Sequence, residues 1–412
     1  MQSNPTTGRS FPPRVVAGIM TGTSVDGIDV ALTKVFDRGL LIQTSLIDAS
    51  TTPFPISLRE SILQIAHNHS TGVAELSDLH AKLGHHYSRA LSSLAEQNSI
   101  PLDDIFCCGC HGQTVWHAPN NPTPSTLQIG TPTVIAEQTG ISVVSDFRWR
   151  DLAAGGQAAP LIPVVDWLLL RDRSVHRIAI NLGGIINLTF LPANQPIENT
   201  LAFDVSPGNI LLDRLTQELT AGKSNFDNHG QLAAQGKCLG PLLESWMALP
   251  FIKMHPPKTT GREAFGDLFT DHVLELATSE NWNLYDVLCT ATHFAASAIH
   301  YSVESFLPVN KDSKPVELVV SGGGAHNEFL INLITQKMPH CVIRKSDAFH
   351  YPVDAKESMA FAILACLTTD GVAGNIPLAT GAKGPRILGS LTPGSSRNWC
   401  NLLRWMQPHT PS

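Results

Sequence analysis

Two stretches of the chain share one design, and that repetition constrains the fold more than any other feature. An apolar run (residues 15–20) meets a polar cluster, TGTSVDG (21–27), and a second run (28–36) alternates apolar with polar positions. Two strand-like runs joined by a glycine-bearing turn read as a β-hairpin, with a turn longer than the two-residue type. The same order returns at 177–180, NLGG (181–184) and 185–191. No residue-level repeat accompanies it, so internal duplication is suggested by the shared design alone. At roughly 150 residues per domain, 412 residues suit two or three α/β domains.

The first turn has a chemistry of its own. Gly22 and Gly27 leave backbone amides open to a ligand and tolerate positive φ. Thr21, Thr23 and Ser24 add hydroxyls, and Asp26 adds one carboxylate. Amides and hydroxyls suit phosphate oxygens, and a carboxylate suits the magnesium that accompanies them. An ordinary turn of small polar residues is the competing reading. Two better-known phosphate motifs are excluded. A dinucleotide fingerprint would open a helix, whereas 28–36 alternates like a strand. Gly222-Lys223-Ser224 could end a P-loop, but the position of its first glycine holds Gln217.

Composition removes several classes. A formal net charge of −7 without a Lys/Arg run disfavours nonspecific nucleic-acid binding. No apolar run approaches the roughly 20 residues of a membrane span, and the first residues lack the apolar core of a secretory signal. Eight cysteines occur without regular spacing, and a reducing cytoplasm fits them. Cys107, Cys108 and Cys110 lack the paired spacing of a zinc ribbon and read as small buried hydrophobes.

Further along, 56–67 and 76–97 read as helices, and 105–110 reads as a buried strand ending at HGQT (111–114). Polar side chains just beyond a buried strand are where α/β folds present ligand contacts. His111, Gln113, Thr114 and Trp116 mix donors, acceptors and an aromatic face, as carbohydrate sites do. A structural turn with a packed tryptophan is the alternative there. Asp204 ends a short apolar run ahead of a helix over 210–219. KTTGRE (258–263) reads as a polar, cationic loop. A strand at 317–321 ends in GGG (322–324), where backbone passes close to something flat or charged. From Pro377 onward the chain reads as loop and short strand.

These motifs together resemble one family, the anhydro-N-acetylmuramic acid kinases, within the acetate and sugar kinase and actin superfamily. The matching stretches are GIMTGTSVDGID (18–29), HGQTVWH (111–117), LQIG (127–130), DFRWRDLAAGGQAAPLIP (146–163), NLGGIINLT (181–189), FDVSPGN (203–209), PPKTTGRE (256–263), SGGGAHN (321–327) and KESMAFA (356–362). They run in family order over nearly the whole chain. The resemblance implies two actin-like (ribonuclease H-like) α/β lobes, with ATP and sugar in a central cleft. The expected division is 1–142 plus 376–412 for one lobe and 143–375 for the other.

The resemblance also implies roles. Gly22, Thr23, Ser24, Asp26 and Gly27 match one phosphate hairpin, and Asn181, Gly183 and Gly184 match the second. Gly322, Gly323, Gly324 and Asn327 match the adenosine motif. Asp26 and Glu357 match positions that hold Mg2+, and Asp204 matches the catalytic base. His111, Gln113, Thr114, Gln128, Asp146 and Arg148 fall on the sugar side. The implied reaction opens a 1,6-anhydro bridge with water and phosphorylates O6, a step of peptidoglycan recycling. The implied partners are an anhydro sugar and ATP, with no nucleic acid and no membrane; a homodimer is left open.

One departure stands out. The family pattern reads Phe-Asp-Thr-Gly-Pro-Gly-Asn, whereas Val205 and Ser206 replace the Thr and Gly here. A kinase for another 1,6-anhydro sugar, such as levoglucosan, is the alternative within the class. A sugar sensor on the same ATPase fold is the alternative outside it.

Overall fold

The computed structural model describes residues 11–22, 25–68, 71–309, 314–353 and 355–407. They form two compact units: Met1–Ala153 with Glu357–Gly374 and Pro385–Ser412, and Ala154–Lys356 with Asn375–Gly384.

In the first unit, β1 (Arg14–Met20) and β2 (Gly27–Phe36) form the hairpin expected from the sequence, and β3 (Gln43–Pro53) continues it antiparallel. β4 (Ile105–Cys110) then pairs parallel with β1. A side hairpin, β5 (Gln113–Ala118) and β6 (Ser125–Ile129), stands apart from this sheet. β7 (Val143–Ser145) lies parallel to β4, and the short strand Ser390–Thr392 closes the edge.

In the second unit, β8 (His176–Leu182), β9 (Ile185–Leu191) and β10 (Leu201–Pro207) form an antiparallel run, and β11 (Val316–Ser321) and β12 (Cys341–Lys345) add in parallel beside β8. Both sheets therefore share a five-strand order, third, second, first, fourth, fifth, with only the second of the five reversed; the first sheet adds the antiparallel edge strand Ser390–Thr392. This is the ribonuclease H-like arrangement of an actin-like lobe, present twice. The duplication hinted at by the two hairpins is a duplication of topology.

Packing explains why the central strands read as unbroken apolar runs: each is covered on both faces. On one side of β1, Leu83, Tyr87 and Leu91 of the helix Val73–Gln97 join Ile19 in one core. On the other lies the helix Lys356–Thr369, at backbone contact. A Cβ on Gly18 would sit 1.9 Å from the Ser358 carbonyl oxygen, and one on its sheet partner Gly109 would sit 2.0 Å from that of Phe361. A side chain at either position would lift the helix off the sheet.

The division falls differently from 1–142/143–375/376–412, and each shift has a contact behind it. β7 is hydrogen-bonded into the first sheet. The helix Lys356–Thr369, from Glu357 onward, belongs to the first unit through Gly18 and Gly109. Residues 375–384 belong to the second, where the Thr380 carbonyl accepts from the Gln157 amide and the Lys383 amide donates to the Ala154 carbonyl. A second correction concerns the C-terminal stretch, which ends in a helix, Ser396–Met406, rather than loop and strand alone. Ser395 caps it by accepting from the Asn398 amide. The helices Gly240–Met247, Asp267–Ser279 and Glu328–Lys337 were likewise not anticipated.

Among the described residues, no helix is long and apolar enough to cross a membrane. Cys107, Cys108 and Cys110 are buried in β4, and burial pushes the Cys110 thiol up to about 12. They pack as small hydrophobes, as expected.

Candidate functional site

In the first unit, the turn after β1 is tied to the turn after β4. Thr21, buried, donates from Oγ1 to the Gly112 carbonyl at 3.1 Å and shares a 3.1 Å hydrogen bond with the Tyr87 hydroxyl. Gln113 reaches back, its Nε2 donating to the Gly22 carbonyl at 3.3 Å. Two glycine turns from separate strands are thus held in one register. Thr23 and Ser24 lie outside the described residues. Asp26 points to solvent, its side chain 73% exposed with Arg59 Nη2 at 3.8 Å. Gly27 opens β2 opposite Pro53, where a Cβ would press on the Thr52 carbonyl at 2.9 Å.

His111 is held from three sides. Its Nδ1–H donates to the Gly112 carbonyl at 2.8 Å, its Nε2 accepts from Arg148 Nε at 3.0 Å, and its ring lies 4.7 Å from that of Phe361. Burial and the Arg148 charge push the imidazole down to about 3. His111 is therefore neutral, and it fixes the direction of the Arg148 guanidinium. Asp146, two residues before Arg148, adopts a φ of 61° and is half-buried, which raises its carboxyl above the usual range. A non-glycine residue in that conformation marks a backbone held in place by its surroundings.

Thr114 and Gln128 face each other across the β5–β6 hairpin, and Gln128 Nε2 donates to Thr126 Oγ1 at 2.8 Å. Gln113 Oε1 and Gln128 Oε1 are buried without a protein donor. Buried acceptors of this kind match a ligand that brings hydroxyl or amide N–H groups. Glu357 sits in the first turn of the helix Lys356–Thr369. Its neighbour Lys356 is buried against Asp166, Nζ to Oδ1 2.7 Å.

In the second unit, the carbonyls of Gly183 and Gly184 in the β8–β9 turn accept from the amides of Gly208, Asn209 and Ile210 at 2.8–3.2 Å. These amides open the helix Asn209–Leu219. After β11, Gly322 takes a φ of 77°, and a Cβ there would lie 2.3 Å from Asn181 Oδ1. A Cβ on Gly324 would likewise press on the backbone, 2.8 Å from the Leu182 carbonyl oxygen. Asn181, Gly183, Gly184, Gly322, Gly323 and Gly324 are thus neighbours at the ends of adjacent strands β8 and β11. Asn327 Oδ1 caps the helix Glu328–Lys337 by accepting from the Leu330 amide at 2.9 Å.

Asp204 does not end its strand: β10 continues to Pro207, and the helix opens after Gly208. The carboxylate is 8% exposed. Oδ2 accepts from the Thr259 hydroxyl at 2.7 Å and from the Thr260 amide at 2.8 Å, while the Asp204 amide donates to the Lys258 carbonyl at 3.0 Å. The pairing of β10 with β9 shifts register between Asp204 and Ser206. Val205 turns into the core, and the Ser206 hydroxyl, fully buried, donates to the Pro207 carbonyl at 3.1 Å. Both departures from the family pattern therefore face inward.

Lys258 lies in the loop expected for it, but not at the surface. Expected in a cationic loop, it is 2% exposed. Its ammonium donates to the Phe251 and Ile252 carbonyls and lies against the rings of Phe203, Phe251 and Phe306. Burial pulls it down to about 8 against the attraction of Asp204. Thr259 and Thr260 were missed as site residues; only the two adjacent hydroxyls in KTTGRE could have hinted at them.

Among the described residues, no group of three or more His, Cys, Asp or Glu side chains could hold a metal. A magnesium that arrives with phosphates needs only one or two protein carboxylates.

A family model described as anhydro-N-acetylmuramic acid kinase matches residues 14–394. The chain is similar to the anhydro-N-acetylmuramic acid kinase of Caldanaerobacter subterraneus, 40% identical over 386 residues covering 92% of this chain and 97% of that protein. It is similar to the Bacillus cereus protein of the same name at 38% over 383 residues, 92% and 98% of the two chains. Among solved structures, it is similar to (R)-2-hydroxyglutaryl-CoA dehydratase component A of Acidaminococcus fermentans, with TM-score 0.41, 12% identity and coverage of 86% and 99%.

Proposed function

The chain belongs to the anhydro-N-acetylmuramic acid kinase family, and from that premise we propose the roles its residues take. The reaction is ATP-dependent opening and phosphorylation of 1,6-anhydro-N-acetylmuramic acid, giving N-acetylmuramic acid 6-phosphate for cell-wall recycling. Asp204 takes a proton from water as the water oxygen bonds to C1. The C1–O6 bond breaks, O6 bonds to the γ-phosphorus, and the bond from that phosphorus to the bridging oxygen breaks to leave ADP. The proton on Asp204 then passes to solvent. The observation that carries this reading is the carboxylate itself: one buried side chain held by two donors on one oxygen, a geometry suited to orienting a base.

The glycine turns supply backbone amides for the phosphates: Gly22 and Gly27 in the first unit, Gly183 and Gly184 in the second. Gly322–Gly324 supply a flat backbone surface for the nucleoside. Magnesium, held by Asp26 and Glu357, would neutralise phosphate charge. Gln113, Thr114, Gln128, Asp146 and Arg148 serve the sugar, with His111 behind Arg148. We propose a cytoplasmic location, since the reaction consumes ATP.

The test is an ATP-consumption screen against 1,6-anhydro-N-acetylmuramic acid, levoglucosan and N-acetylmuramic acid, with the phosphate position read by NMR. Turnover of the first sugar, phosphorylated at O6, is the expected result. Turnover of levoglucosan alone would reassign the substrate, and ATP consumption with none of the three would remove the kinase reading.

A further inference from the structure

We infer that Thr259 is a positioning residue for the reaction: it selects the rotamer of Asp204 and holds it ionised, from a segment that Lys258 anchors in the core. The inference rests on the reading of Asp204 as the base.

Three observations converge on the segment 258–260. The Thr259 hydroxyl and the Thr260 amide both donate to one carboxylate oxygen, Oδ2, at 2.7 and 2.8 Å. Two donors on a single oxygen fix the carboxyl plane and favour the charged form. The Lys258 carbonyl accepts from the Asp204 amide at 3.0 Å, so backbone and side chain of Asp204 are clamped by consecutive residues. Finally, the clamp is itself immobilised. Lys258 Nζ donates to the Phe251 and Ile252 carbonyls at 3.0 and 3.3 Å, and its charge lies 4.7–5.8 Å from three phenylalanine ring centroids. A lysine buried in this way holds a loop by its root. β10 also needs such help, because its ladder is irregular between Asp204 and Ser206.

A neutral donor to a carboxylate is worth a factor of about 10–100 when removed. Thr259→Val keeps the shape and loses the hydroxyl; Thr259→Ser keeps the hydroxyl. The experiment measures kcat and KM for sugar and ATP across pH in both variants and in Asp204→Asn, with the melting temperature of each. Expected are a kcat for Thr259→Val lower by about 10–100-fold, little change in either KM, an acid limb moved to higher pH, and recovery in Thr259→Ser. A role in packing alone would leave the acid limb in place while the melting temperature fell, and that result would overturn the inference. So would a normal kcat in Thr259→Val beside a crippled Asp204→Asn. A near-normal Asp204→Asn would instead overturn the reading of Asp204 beneath it. Should Thr259→Val fail to fold, Thr259→Ser still decides: an acid limb and kcat unlike those of the parent chain count against the inference.

Discussion

Burial and the neighbouring Arg148 push His111 down to about 3, so a side chain that looks like a proton carrier spends the working pH range as a neutral acceptor. Two outcomes follow at the scale of this residue. First, His111 contributes no limb to the pH–rate profile between about pH 5 and 8, where an unperturbed histidine would titrate. Replacing it by Phe, which keeps the stacking on Phe361 but loses the acceptor, raises the sugar KM by about 10–100-fold; a KM unchanged in His111→Phe would remove it from the site. Second, its folded value lies below its unfolded value. On acidification from about 6.5 towards 3, the unfolded chain binds a proton that the native state refuses, and stability falls across that window. Urea melts at successive pH values should show this loss shrink in His111→Gln. In sequence, HGQT advertised a polar cluster beyond a strand, but which member touches ligand and which holds its neighbour depends on Arg148, 37 residues away. The same holds for Lys258, whose charge reads as exposed until the aromatic residues around it are brought together.

At the scale of elements, legibility followed periodicity and burial. β1, β4 and β8 are readable as apolar runs buried in their sheets, and β2 and β9 as the partners that a glycine-bearing turn joins to β1 and β8. The helix Ser396–Met406 is a missed reading: Trp399, Leu402, Leu403 and Met406 stand at helical spacing behind the Ser395 cap, although only Asn398 and Leu402 are buried. Its attachment is shared between Trp405, whose Nε1 donates to Asp370 Oδ1 at 2.7 Å, and Asn398. Asn398 Oδ1 accepts from the Ser142 amide at 2.8 Å, and Nδ2 donates to the Ile105 carbonyl at 3.0 Å. Asn398→Ala orphans a buried amide and a buried carbonyl, with an expected cost of about 2–4 kcal/mol. Denaturant unfolding checks this: a loss under about 0.5 kcal/mol, the scale of a surface change, would mean the helix is held by other contacts.

At the scale of the molecule, the two five-strand orders are the same and the side chains that fill them are not. Duplication at the level of topology leaves each lobe free to carry its own chemistry. The first unit bears the His111–Arg148 pair and the Gln113–Gln128 acceptors, and the second bears Asp204 with its clamp. Sequence patterns could expose the two hairpins, since a hairpin is local. Strand order, the boundary at β7 and the return of 375–384 to the second unit are long-range pairings with no local signal. The central claim concerns which bond the water makes. Run in ¹⁸O-labelled water with ATP and 1,6-anhydro-N-acetylmuramic acid, the reaction should place the label at C1 of the phosphorylated sugar, read by mass spectrometry. Label found in inorganic phosphate, with the anhydro bridge intact, would contradict it.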